Sequence, residues 1–141
     1  AARPLMWVLL AGQLAFQTPR WCLGTQWRRP ELSGTYAWLS GHMAPGEALA
    51  APLSVRDGFY SGRPSLPLPE ADSAKSLAAY LRARRTRWVL WQGRLDVGLS
   101  QEKTSKIAQR LARAERLLCN RAVFELVYEN PDEQSKVFIS R

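Results

Sequence analysis

Arginine and tryptophan are concentrated in one short stretch near the middle of the chain. Residues 82–94 read RARRTRWVLWQGR, with five arginines and two tryptophans in thirteen positions. The planar guanidinium of arginine pairs with phosphate or carboxylate groups, and a tryptophan ring stacks on an unpaired base. The composition therefore predicts an anionic partner, which RNA, an anionic lipid or an acidic protein surface would satisfy. The residues that we assign to this contact are Arg82, Arg84, Arg85 and Arg87.

A second group of basic residues follows at the spacing of a helix. From Ser100 onward, apolar residues recur at intervals of three and four, which predicts a helix that ends near Asn120. Basic residues line one flank of this apolar stripe and are candidates for the same anionic partner; they are Lys103, Lys106, Arg110 and Arg113. The alternative interpretation is that Trp88 and Trp91 belong to the core and that the arginines form a solvated or protein-facing edge.

Motifs for catalysis are missing from the sequence. It contains no glycine-rich phosphate loop, no GxSxG elbow and no set of His and Cys at metal-ligand spacing. Asp57 and Asp132 stand beside Gly or Pro, where aspartate commonly serves turns. Cys22 and Cys119 are either two thiols or one bridge. We therefore expect no enzyme activity, no cofactor, no metal and no small-molecule substrate.

The chain carries a short apolar block close to its beginning. Residues 5–16 read LMWVLLAGQLAF, with Gln13 as the one polar side chain. A helix of this length spans about 18 Å, which is short of the ~30 Å hydrocarbon core of a bilayer. Two interpretations stay open: a helix lying in a membrane interface, or a helix buried against neighbouring subunits. The docking residues in either case are Leu5, Trp7, Leu10, Phe16, Trp21 and Trp27.

The rest of the first half is irregular in pattern. Eight of the nine prolines fall within residues 1–71, and glycines interrupt residues 18–71 repeatedly. Short strands are predicted around residues 35–39 and 53–60. A stretch of this composition is normally mobile unless something holds it. We therefore predict an extended segment, residues 1–71, that is held by other molecules of a larger assembly.

Regular periodicity begins after Asp72. Ser73 or Asp72 is a candidate N-cap for a helix whose apolar face contains Leu77 and Leu81. A short apolar strand at residues 88–91 and the second helix follow, and a hairpin closes the chain. In that hairpin Phe124, Leu126 and Tyr128 are predicted to share one side. The predicted fold is therefore α+β, with a largely irregular N-terminal half that includes a short apolar helix, and a helix–strand–helix–hairpin unit over residues 72–141.

These observations predict two classes of function. The first is a non-catalytic accessory subunit of a mitochondrial respiratory-chain or ATP synthase complex, which braces neighbouring subunits at the inner membrane and contacts cardiolipin. The second is an RNA-binding structural protein of a mitochondrial ribosome in the matrix, because the net charge is +8. A start at Ala1 rather than Met fits removal of a presequence or an incomplete chain. A weaker third interpretation is a secreted or surface binding domain with a Cys22–Cys119 bridge.

Overall fold

A five-stranded mixed sheet organises the part of the chain that the structure describes. The structure is a computed structural model that describes residues 32–93 and 101–141, except the side chains of residues 101–103. The docking residues predicted within residues 5–27 lie outside this range. The elements follow in the order α1 (Ser33–His42), β1 (Leu49–Ala51), α2 (Ser54–Ser61), β2 (Ser65–Pro67), α3 (Ala74–Ala83), β3 (Trp88–Gln92), α4 (Gln101–Leu118), β4 (Phe124–Asn130) and β5 (Ser135–Ser140).

The strand order in the sheet is β2-β1-β3-β5-β4. The first three of these strands run parallel, because helices α2 and α3 return the chain to the same edge each time. The hairpin β4–β5 then adds two antiparallel strands through β5. Strand order reverses between β1 and β3, and both strands end at one edge, which we call the carboxyl edge. The predicted α+β class is confirmed, as is the helix–strand–helix–hairpin order after residue 72.

Helices cover both faces of the sheet. Residues alternate along β3, so that Val89 and Trp91 pack with α3 and α4, whereas Trp88 and Leu90 pack with α1. All five residues of β3 are therefore buried, as expected for a strand between two helical layers. The interpretation that both tryptophans are core residues is confirmed, because Trp88 is 4% and Trp91 is 8% exposed.

Residues 32–71 contain regular structure that the sequence pattern did not predict. The segments around residues 35–39 and 53–60, predicted as short strands, lie in the helices α1 and α2. For α1 the signal was present: Leu32, Tyr36, Leu39 and Met43 recur at intervals of four, three and four, and all four are buried. For α2 it was not, because its buried residues are the polar Asp57 and Ser61. Leu32–Arg141 forms one compact unit, so these elements share a core with the second half.

A bulge changes the face of the last hairpin. Leu126 pairs with Phe138 and Tyr128 pairs with the next residue back, Val137, so the register shifts by one between them. Because side chains alternate along a strand, one extra residue moves the following side chains to the other face. Phe124 packs in the core beneath α3 and α4, whereas Tyr128 packs on the face of α1. The prediction that both share one side is wrong for this reason.

The N-terminus of α1 depends on a residue almost one hundred positions away. Leu32 provides no side-chain cap, and Glu133 in the β4–β5 turn takes that role. Its carboxylate accepts from the backbone N–H of Gly34 at 2.7 Å, and from the N–H of Thr35 at 2.9 Å. The Thr35 hydroxyl also donates to it. The hairpin therefore holds the beginning of α1 in place.

We expect Glu133→Ala to lower the free energy of unfolding by about 1–2 kcal/mol, because the first N–H groups of α1 lose their acceptor. Urea denaturation followed by circular dichroism measures the difference. The control is Asp132→Ala in the same turn, whose exposed side chain makes a change within about 0.5 kcal/mol the expectation. Equal losses in both variants would show that the carboxylate of Glu133 does not act as a cap.

Candidate functional site

A groove runs between helix α4 and the loop that follows β2. Its volume is about 730 Å³, within the range of about 300–1,000 Å³ found for small ligand sites. The floor and sides are mainly apolar and include Leu53, Leu68, Ile107 and Leu117. These four side chains are partly exposed, so they are accessible to a partner. Basic residues of α4 form one wall, and we call this feature the basic groove.

The basic wall contains four cations in a row along α4: Lys106, Arg110, Arg113 and Arg116. Two of them reach across to the loop after β2, where Arg110 pairs with Glu70 at 2.5 Å and Arg113 pairs with Asp72 at 2.7 Å. The Arg116 Nε–H donates to the carbonyl of Ala112 in its own helix. Both ion pairs are largely exposed to solvent, so each contributes little to stability.

The structure divides the predicted basic residues between two surfaces. Lys106, Arg110 and Arg113 lie together in the basic groove, and the side chain of Lys103 is outside the described residues. The other four follow from the end of α3 to the start of β3, at the opposite end of the parallel strands; they are Arg82, Arg84, Arg85 and Arg87. The eight residues therefore do not form one binding surface. Arg116 was missed, although it continues the row at an interval of three.

The arginines near the start of β3 make local contacts. The Arg84 guanidinium lies 5.2 Å from the centre of the Tyr80 ring, and Arg87 pairs with Glu47 at 2.9 Å. Arg85 has the left-handed φ of 52° at the end of α3. Burial of Glu47 disfavours its ionised form. Hydrogen bonds from the Ala44 N–H and the Trp88 indole, together with the charge of Arg87, outweigh this effect and lower the pKa of the Glu47 carboxyl.

The tryptophans of this stretch are engaged inside the protein. The Trp88 indole N–H donates to Glu47 at 3.0 Å, and the Trp91 indole N–H donates to the Leu111 carbonyl at 2.9 Å. Lys136 lies over the Trp91 ring at 5.3 Å. Because both rings are buried and bonded, they are not available to stack on bases. The expectation of base stacking by these two residues is wrong.

A buried polar network lies at the carboxyl edge, close to one end of the basic groove. The Asp57 carboxylate is fully buried and accepts from the Tyr36 hydroxyl at 2.7 Å and from the Gln92 amide at 3.1 Å. It also accepts from the Leu53 N–H at 3.1 Å and pairs with Arg56 at 3.3 Å. Burial, together with the hydrogen bond and charge of Asp57, raises the pKa of the Tyr36 hydroxyl far above its usual value.

The network occupies a place where open α/β sheets commonly bind ligands. That place is the point of strand-order reversal, beyond the carboxyl ends of the strands. Here packed side chains fill it, and Asp57 fixes the backbone of Leu53, which lines the groove. The sequence pair Asp57–Gly58 was interpreted as a turn, but Asp57 is a buried anchor. A Cβ at Gly58 would lie 2.8 Å from the Cβ of Ser65, so glycine permits close packing of α2 on β2.

The described ranges contain neither a cluster of metal ligands nor a membrane-spanning helix. Within residues 32–93 and 104–141, no three side chains of His, Cys, Asp or Glu are grouped to hold a metal ion. None of the helices described here has the length and apolar character that crossing a bilayer requires. Cys119 is an exposed free thiol, and Cys22 lies outside the described residues.

Comparison with known proteins gives a likeness in structure and none in sequence. No family model and no curated protein matches the chain. Among solved structures, it is similar to the C-terminal globular domain of an oligosaccharyltransferase from Archaeoglobus fulgidus. The two are 11% identical, the match covers 80% of this chain and 98% of that chain, and the TM-score is 0.52. At this identity the likeness establishes the fold.

The likeness corrects the function predicted from the sequence. The predictions of an accessory subunit of a mitochondrial respiratory-chain or ATP synthase complex, and of a mitochondrial ribosomal protein, are wrong, because the fold matches an oligosaccharyltransferase domain. They depended on an irregular first half held by neighbours, whereas residues 32–71 pack into a core that they share with β3 and β5 of the same chain. The matched domain is itself one part of a larger protein, consistent with partners in a larger assembly. The described residues thus share the fold of an archaeal oligosaccharyltransferase C-terminal domain.

Proposed function

We propose that this chain supplies a globular accessory domain to a glycosyl-transferring enzyme of the oligosaccharyltransferase type. The observation that carries the proposal is the match to 98% of the archaeal domain. A match of that extent includes the whole arrangement of sheet and helices rather than one shared motif. The proposal keeps the expectation that the chain has no catalytic residues of its own and that the chemistry belongs to its partner.

The basic groove supports a role in binding. Its lining combines partly exposed leucine and isoleucine side chains with the cations of α4. Glu70 lies on the opposite wall and is engaged by Arg110. Since arginines of α4 engage both Glu70 and Asp72, this arrangement suits recognition of charged groups rather than acid–base chemistry. In this proposal the partners are other parts of the same enzyme assembly.

Other expectations from the sequence are not needed for this proposal. An anionic lipid such as cardiolipin and RNA stay predicted partners, based on charge alone. The mitochondrial inner membrane and matrix likewise stay predicted locations. The proposal concerns the fold and the groove, which are features of the described residues.

The proposal is tested by asking whether transfer activity accompanies the protein. The full chain carries an affinity tag, is expressed in its native host and is purified from membranes in a mild detergent. The assay measures transfer of an oligosaccharide from a lipid-linked donor to a peptide that contains an Asn-x-Ser/Thr acceptor. We expect activity in the purified fraction well above that of an unrelated tagged protein of similar size.

The same purification with the Phe124→Ala variant is the matched control, because this substitution removes part of the core beneath α3 and α4. Its fraction is expected to carry less activity than the wild-type fraction, because the substitution destabilises the domain. Purified wild-type protein with a native circular dichroism spectrum and no accompanying transfer activity would contradict the proposed function.

A further inference from the structure

The two ion pairs of the basic groove show what its arginines recognise. Arg110 and Arg113 are three residues apart on α4, and they hold the carboxylates of two alternate loop residues, Glu70 and Asp72. Three residues advance about 4.5 Å along a helix, and two residues advance about 6.6 Å along an extended chain. Flexible arginine side chains bridge this small difference. The wall is therefore spaced for carboxylates at alternate positions of an extended segment.

The basic wall is longer than the pair of carboxylates that it holds. Lys106 precedes Arg110 by about one turn, and Arg116 follows Arg113 by almost one turn. The Arg116 guanidinium donates to the neutral carbonyl of Ala112 in its own helix, so its charge adds to those of the two ion-paired arginines. The groove therefore has positive charge beyond its two ion pairs, which complements an acidic partner.

We propose that the basic groove binds an acidic segment of the partner enzyme with interspersed apolar side chains. The identity of the partner rests on the proposed function; the chemistry of the segment rests on the groove. Carboxylates of the segment replace Glu70 and Asp72 on Arg110 and Arg113, and apolar side chains contact Leu53 and Ile107. The guanidinium fork matches a carboxylate in geometry, which is the group that these arginines already bind here.

Exchange of partners is favourable because little is lost when the internal pairs open. The Glu70 side chain is 62% exposed and the Asp72 side chain is 99% exposed, so both stay solvated after release. The incoming segment covers apolar surface that the free protein leaves partly exposed to water. The gain therefore comes from apolar contact, and the charges select an acidic segment.

The test measures binding of a fluorescent peptide to the full chain by anisotropy. The probe is a six-residue peptide of sequence Leu-Glu-Leu-Asp-Leu-Glu, and the matched probe replaces its acidic residues by Gln and Asn. We expect the acidic probe to bind, the amide probe to bind at least about tenfold more weakly, and rising salt to weaken binding.

Charge reversal in the groove separates local recognition from the effect of net charge. Arg110→Glu with Arg113→Glu is expected to weaken binding of the acidic probe by about tenfold or more. The control, Arg82→Glu with Arg84→Glu, makes the same change in charge at the other end of the strands, and an effect within about twofold is expected. A second variant, Glu70→Gln with Asp72→Asn, removes the internal competitors and is expected to tighten binding.

Each contrary result overturns the inference. Equal binding of both probes, equal loss in the two charge-reversal variants, or no tightening in the second variant would show that the groove does not read carboxylates. Binding of anionic phospholipid vesicles through Arg110 and Arg113, with no peptide binding, would assign the groove to a lipid surface instead.

If transfer activity accompanies the wild-type chain but the peptide does not bind, this inference fails alone. If the peptide binds and no activity accompanies the chain, the proposed function fails alone.

Discussion

Replacing Asp57 by alanine is expected to lower the free energy of unfolding by about 3–5 kcal/mol, the range found when one partner of a buried charge pair is removed. The carboxylate is fully buried and accepts hydrogen bonds from Tyr36, Gln92 and the Leu53 N–H. Its loss leaves those donors buried without an acceptor, and Arg56 loses a charged partner. Equilibrium unfolding in urea, followed by circular dichroism and tryptophan fluorescence, measures the difference.

Two further variants make this prediction specific. Asp57→Asn keeps the shape and one acceptor oxygen, so we expect a smaller loss than for alanine. Asp132→Ala changes the other aspartate that the sequence pattern assigned to a turn, and its exposed position predicts a loss below about 0.5 kcal/mol. If Asp57→Ala and Asp132→Ala were equally stable, the network at the carboxyl edge would not anchor α2.

Truncating Phe124 to alanine is the second substitution with a large expected effect. Phe124 is 1% exposed and packs in the core with Trp91, Leu118 and Phe138. Removing a buried phenyl ring loses its apolar contacts and leaves a cavity, which costs about 3–5 kcal/mol. Urea unfolding again provides the measurement, and an unchanged slope against denaturant would show that the variant still unfolds as one unit.

The control for Phe124 lies two positions further along the same strand. Leu126 is 47% exposed, and we expect Leu126→Ala to change stability by less than about 1 kcal/mol. By alternation alone the two residues are equivalent, so the comparison tests the packing and not the strand propensity. Similar losses for both would mean that β4 is packed differently from the arrangement described above.

The basic groove connects these stability predictions with the proposed function. Its floor includes Leu53, whose backbone Asp57 holds, and its basic wall is the helix α4 that packs above Trp91 through the Leu111 carbonyl. Lys136 pairs with Glu115 of the same helix. The hydrogen bond to Glu115 and the charges of Glu115 and Glu129 raise the pKa of the Lys136 ammonium group, although burial alone would lower it. The groove is therefore supported from the sheet beneath it.

The elements that the sequence predicted well are those with a local apolar repeat. Ser73 caps α3 as predicted, in a capping box completed by Ser76, and the predicted apolar face of α3 is buried. The apolar run that forms β3 and the paired strands of the hairpin are also in their predicted places. Each of these patterns lies within a few residues of the element that it forms, so the chain itself contains the signal.

Only the tertiary structure decided the rest. The buried face of α2 is polar because Asp57 meets Gln92 and Tyr36, residues 35 and 21 positions away. The basic residues form two surfaces because α3 ends at one end of the parallel strands and the basic face of α4 lies at the other. The sequence repeat of α4 predicts only which of its residues share a face. Local periodicity reports the direction of a side chain relative to its own element. Which elements become neighbours depends on pairings between distant residues, and these pairings placed the arginines of α4 opposite Glu70 and Asp72.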